Sequence, residues 1–183
     1  MLFTELGIAG VYVIELQKHH DERGFFARTW CREEFAKQGL HLEYVQQNIS
    51  YNKKRGTVRG MHYQIAPYEE IKLVSCIKGA IYDVVVDLRA QSGTYGQWLG
   101  IELNDVNNKI LYIPKGIAHG FQTLADETTV FYQMSDFYQP ESARGIAWND
   151  KKINIDWPIK EEIIISEKDK NINKENGRAS NGF

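Results

Sequence analysis

The chain has 183 residues, 43% of them apolar, enough for one domain that hides roughly 70% of its unfolded surface without a disulfide or metal staple. Lys and Arg number 22 against 24 Asp and Glu, and the net charge of −2 excludes a strongly basic nucleic-acid binder while leaving room for a local anion site. No apolar run reaches the roughly 18–20 residues of a membrane span, and Met1-Leu2-Phe3-Thr4-Glu5 lacks the basic-then-apolar opening of a signal peptide. The expectation is a soluble, cytoplasmic protein with no membrane or nucleic-acid partner. Cys31 and Cys76 sit in apolar stretches without metal-type spacing, as reduced thiols do, and the Asn48-Ile49-Ser50 sequon then reads as chance.

In chain order, the first clear element is a helix over residues 32–38, with Glu33 and Glu34 near its start and Gly39 as its stop. It is expected to pack outside the sheets. The rest reads as β-structure: 12% aromatics, four prolines and short apolar runs broken by glycine. Strands are predicted over 72–77, 81–88, 98–103, 109–113 and 129–135, separated by turn signals such as Lys78-Gly79 and Ser92-Gly93. Over 81–88 the alternation puts Tyr82, Val84, Val86 and Leu88 on one face and Ile81, Asp83, Val85 and Asp87 on the other. Such regular spacing favours a sandwich or barrel. From Ser166 onward the chain is polar apart from Ile172, Ala179 and Phe183, which predicts a loosely ordered tail.

Two segments carry the chemistry, Gly56-Thr57-Val58-Arg59-Gly60-Met61-His62-Tyr63-Gln64 and Pro114-Lys115-Gly116-Ile117-Ala118-His119. Their glycine, proline and histidine spacings resemble the two motifs of the cupin superfamily. A metal-binding cupin presents His-x-His and a Glu from the first motif, because a divalent ion needs several converging ligands. Here Gln64 replaces the second histidine, and Lys72, seven residues before Gly79, stands where the glutamate would. An ammonium repels a metal cation and attracts a developing anion, so no catalytic metal is expected. Alternation puts His62 and Gln64 on one face, with Arg59 free to escape the rule because Gly60 permits a bend. Tyr132 shares a face with Val130 and Met134, the pattern of an ordinary core aromatic.

Several further pieces make the chain resemble the dTDP-4-dehydrorhamnose 3,5-epimerase family from about Ile8 to Asp169. They include Asp21-Glu22-Arg23-Gly24-Phe25-Phe26, Gln46-Gln47-Asn48, Lys72-Leu73-Val74, Trp148-Asn149-Asp150 and Ser166-Glu167-Lys168-Asp169. The resemblance implies an all-β, cupin-type double-sheet jelly-roll β-barrel with a few short peripheral helices. It also implies one domain over 1–169, a polar tail over 170–183, and a cofactor-free homodimer acting on a nucleotide sugar. By similarity His62 is the base, Asp169 orients its imidazole, Lys72 stabilises the enolate and Tyr132 donates a proton from the opposite face. Arg23 and Arg59 match pyrophosphate-binding positions, with Arg23 reaching the neighbouring subunit's site. Gln46, Asn48, His119 and Lys168 match other ligand contacts, and Tyr138 matches the residue that stacks on thymine. The chain departs from the family at Arg28 and Ala143, where glutamates are common. The alternatives are an epimerase acting at C3 only or C5 only, a metal-dependent cupin, and a non-catalytic sugar-nucleotide binding module.

Overall fold

The computed structural model describes residues 1–40 and 43–172. Six strands form one sheet in the order β1 (Leu2–Glu5), β2 (Tyr12–Glu15), β10 (Ile110–Ile113), β7 (Lys72–Lys78), β12 (Thr128–Met134) and β5 (Gln46–Asn52). Five form a second, ordered β13 (Ala143–Gly145), β6 (Val58–Gln64), β11 (Ile117–Thr123), β8 (Ala80–Asp87) and β9 (Trp98–Asn104). A separate hairpin joins β3 (Lys18–Asp21) to β4 (Gly24–Ala27). From β5 onward consecutive strands alternate between the two sheets, except at the β8–β9 hairpin, where the path turns back. With every pairing between named strands antiparallel, this is the double-sheet jelly roll expected from the sequence.

Strand alternation sorts the apolar residues into layers. On β8, Ile81 and Val85 join Val74, Leu111, Phe121 and Val130 in the core between the sheets. Val84 and Val86, one residue out of phase, pack outward with Met61 and Trp157 under the chain that follows β13. The opposite outer face carries Leu73, Ile110 and Tyr112, and helix α1 (Arg32–Lys37) closes over it with Phe35, which is 1% exposed and meets Phe3 edge-on at 5.1 Å. The helix stops where expected, because Gly39 takes a φ of 72° open to glycine, and it lies outside the sheets. Both cysteines are free, and burial pushes the Cys76 thiol up to about 12. No helix among the described residues is long and apolar enough to cross a membrane.

The polar stretch from Ser166 differs from the expected loose tail. Ser166 caps helix α2 (Glu167–Lys170) by accepting the Asp169 amide at 3.1 Å, and Asp169 and Ile172 are each 5% exposed. Polarity misleads here because Asp169 is buried and finds partners in His62 and the Gly60 amide. Residues 173–183, the remainder of the expected tail, lie outside the described residues.

Candidate active site

The two histidine segments become neighbours: β11 pairs with β6 so that His119 faces His62 in register. Beyond that pair the register shifts, and two glycines make the irregularity possible. Gly60 has a φ of 120°, and a Cβ on it would lie 2.5 Å from the Gly120 Cα. The bend breaks strict alternation, so Arg59 lines the same cavity as His62 and Gln64. That cavity, about 1000 Å3, has room for a large ligand and runs between the sheets. Around it stand Gln46 and Asn48 of β5, Lys72 of β7, His119 of β11, Tyr132 of β12, Tyr138, and Lys168 and Asp169 of α2.

His62 Nε2 lies 2.7 Å from Asp169 Oδ1, while Asp169 Oδ2 accepts the Gly60 amide at 3.3 Å. Burial alone would raise the Asp169 carboxyl, but the hydrogen bond and charge of His62 and the Gly60 amide outweigh it and hold the group below the usual carboxylate range. Across the cavity, burial pushes the Tyr132 phenol above its ordinary 10, with the Arg59 charge offsetting part of the rise. The Tyr132 hydroxyl has no hydrogen-bond partner among the described residues. Lys72, 7% exposed, pairs with Glu70 Oε1 at 2.6 Å and donates to the His62 carbonyl at 3.3 Å, so its stem spans from one sheet to the other.

The polar groups around this centre are held in place. Arg59 Nε donates to Asn52 Oδ1 at 2.7 Å, Gln46 Nε2 donates to Asn48 Oδ1 at 3.2 Å, and Gln46 Oε1 accepts the Tyr138 amide at 3.1 Å. Gln64 clips loops: its amide donates to the carbonyls of Tyr68 and Phe137 and accepts from the Gln139 amide. Both ends of Gln64 are thus spent on backbone, and Lys72 fills the other slot of a metal-binding cupin.

Arg23 is the exception among the expected residues. It sits at the tip of the β3–β4 hairpin with its side chain 83% exposed and ion-paired to Asp21, away from this chain's cavity. Arg28 also stays outside, paired with Glu34 at 3.0 Å, whereas Ala143 lines the cavity beside Arg144. Sequence reasoning missed two carboxylates. Asp83 is fully buried and hydrogen-bonded to His119 Nε2; an acid on the inward face with Ile81 and Val85 was its signal, since a buried carboxylate requires a partner. Glu70 was signalled by its i, i+2 spacing from Lys72, which shares a face in extended chain.

The profile of the dTDP-4-dehydrorhamnose 3,5-epimerase family matches residues 5–176. The chain belongs to this family. A family member so named from Methanothermobacter thermautotrophicus is 44% identical over 171 residues, covering 92% of this chain and 91% of that one. The crystal structure of the dTDP-4-dehydrorhamnose 3,5-epimerase from Bacillus anthracis with TDP and PPi bound superposes with a TM-score of 0.91 at 38% identity, covering 93% of this chain and 97% of that one. A dTDP-4-dehydrorhamnose 3-epimerase from Streptomyces niveus is 41% identical over 159 residues, covering 86% of this chain and 76% of that one.

Proposed function

We propose that the protein epimerises C3 and C5 of a nucleotide-linked 4-keto-6-deoxyhexose, converting dTDP-4-dehydro-6-deoxy-D-glucose to dTDP-4-dehydro-L-rhamnose without metal or cofactor. The observation that carries this reading is the meeting, in one cavity, of a carboxylate-held imidazole and an unpaired phenol rooted on facing sheets. Protons beside a ketone are weakly acidic, so their removal needs a base, a cation for the enolate oxygen and an acid on the other face. His62 takes the C3 or C5 proton, with Asp169 fixing the ring and favouring the imidazolium that forms. Lys72 faces the enolate oxygen. Tyr132 then protonates the carbon from the opposite side, and solvent takes the proton from the His62 imidazolium and reprotonates the phenolate, restoring both groups; the raised phenol is well suited to remain an acid at neutral pH.

Arg59 and Lys168 hold the diphosphate, a match between guanidinium or ammonium donors and phosphate oxygens. Gln46, Asn48 and His119 contact the sugar nucleotide, and Tyr138 stacks on the base. A homodimer supplies Arg23 from the neighbouring protomer, a reading supported by its distance from its own cavity and by Phe26, 73% exposed on the same hairpin. The free cysteines agree with a cytoplasmic location.

The 3-epimerase from Streptomyces niveus supports a second reading, action at C3 alone. Incubation with dTDP-4-dehydro-6-deoxy-D-glucose in heavy water and chelator, followed by a 4-keto reductase, separates them. Deuterium at both carbons and a trapped rhamnose product are expected. Label at C3 only establishes the second reading, and an enzyme silent until metal is added, or silent altogether, refutes the first.

A further inference from the structure

Glu70 and Lys72 both line the cavity, and each is 7% exposed. Glu70 Oε1 holds the ammonium at 2.6 Å, while its Oε2 is buried with no hydrogen-bond partner among the described residues. A buried carboxylate with one unmatched oxygen is unfavourable, and Lys72 is the partner that keeps it there. Lys72 also has few restraints. Its flexible four-carbon stem carries an ammonium with three N–H donors that is ion-paired with Glu70 and donates to the His62 carbonyl at 3.3 Å. Donor capacity is left for a ligand oxygen.

We propose that Glu70 is a positioning residue, the carboxylate that fixes the Lys72 ammonium so that a free N–H meets the developing enolate oxygen. The proposal rests on the epimerase reading and adds to it a residue that acts through Lys72. Preorganisation is what makes such a cation effective, because a donor that must first reorient loses part of its stabilising effect at the moment of reaction.

Glu70→Ala strips a buried ammonium of its counter-ion and endangers the fold, so the isosteric Glu70→Gln, which keeps an acceptor and loses the charge, is studied beside it. The first readout needs no substrate: the 15N signal of the Lys72 ammonium, assigned by its loss in Lys72→Arg. It is expected to be restricted and slowly exchanging in the wild type, weakened in Glu70→Gln and lost in Glu70→Ala. The second is solvent-exchange kinetics. Lys72→Ala should lower kcat by about 10²–10³-fold and Glu70→Gln by about tenfold, with KM changed less than about twofold. Adding Glu70→Gln to Lys72→Ala should cost nothing more. A Glu70 that serves only the fold predicts losses that multiply, and an ammonium equally restricted in wild type and both Glu70 variants overturns the proposal. If the wild type exchanges neither hydrogen, the epimerase reading falls, and the ammonium signal alone decides the positioning role.

Discussion

His62 and Tyr132 differ in how the protein treats them, and that difference matches the separate roles proposed for them. The imidazole is anchored at Nε2 by a carboxylate that stays ionised, and the phenol is half-buried with its hydroxyl unengaged. His62→Ala is expected to abolish exchange of the C3 and C5 hydrogens with solvent, since no enolate forms. Tyr132→Phe keeps the ring and deletes the hydroxyl; proton removal should continue at a reduced rate with configuration retained, and little inverted product should accumulate. Deuterium incorporation followed by NMR of the recovered sugar measures both. Loss of exchange in Tyr132→Phe with exchange intact in His62→Ala would reverse the roles, and a silent Tyr132→Phe would return Tyr132 to the core.

Elements hold these residues by quite different means. Helix α2 has one turn and carries Asp169 into the site, so the Ser166 cap matters more to catalysis than to the fold. Ser166→Ala should cost about 1 kcal/mol locally, read as about a fivefold fall in kcat, with the melting temperature nearly unchanged. The turn between β8 and β9 is built around Asp87, fully buried, which accepts the Arg89 amide and guanidinium and the hydroxyls of Ser92 and Thr94. Burial would raise this carboxyl, but those donors win and depress it. A depressed folded value means that the stabilisation is complete above the ordinary 3.8 and fades as pH falls toward the folded value. Asp87→Asn should therefore lose about 2–3 kcal/mol at neutral pH, with the gap to wild type narrowing as pH falls below the ordinary 3.8. Urea unfolding at both pH values tests this.

At the scale of the whole molecule, one cavity draws on both sheets, α2 and, on the dimer reading, a second protomer's hairpin. Arg23→Ala and His62→Ala then fall on the same site of a mixed dimer, and the other site, with its own His62 and its neighbour's Arg23, is intact. Two inactive variants, unfolded and refolded together at equal ratio, should recover about a quarter of wild-type activity, because half the dimers are mixed and each has one whole site. No recovery, with mixed dimers shown by mass spectrometry, would mean that Arg23 serves its own chain.

Local pattern was enough to read much of this protein. Alternation across residues 81–88 assigned Ile81 and Val85 to one layer and Val84 and Val86 to the other, as the core clusters have them. Gly39 marked the end of α1, and the substitutions at Gln64 and Lys72 bore on metal chemistry, because backbone conformation and charge sign are properties of the residue itself. What depended on distant contacts was not legible from local pattern, and only the family resemblance paired Asp169 with His62. Ser166 to Ile172 read as solvated because its partners, Gly60, His62 and Gly145, lie far away in sequence. The burial of Glu70 and Asp83 was equally hidden: a carboxylate becomes part of a site only when folding removes its water and supplies Lys72 or His119 in exchange.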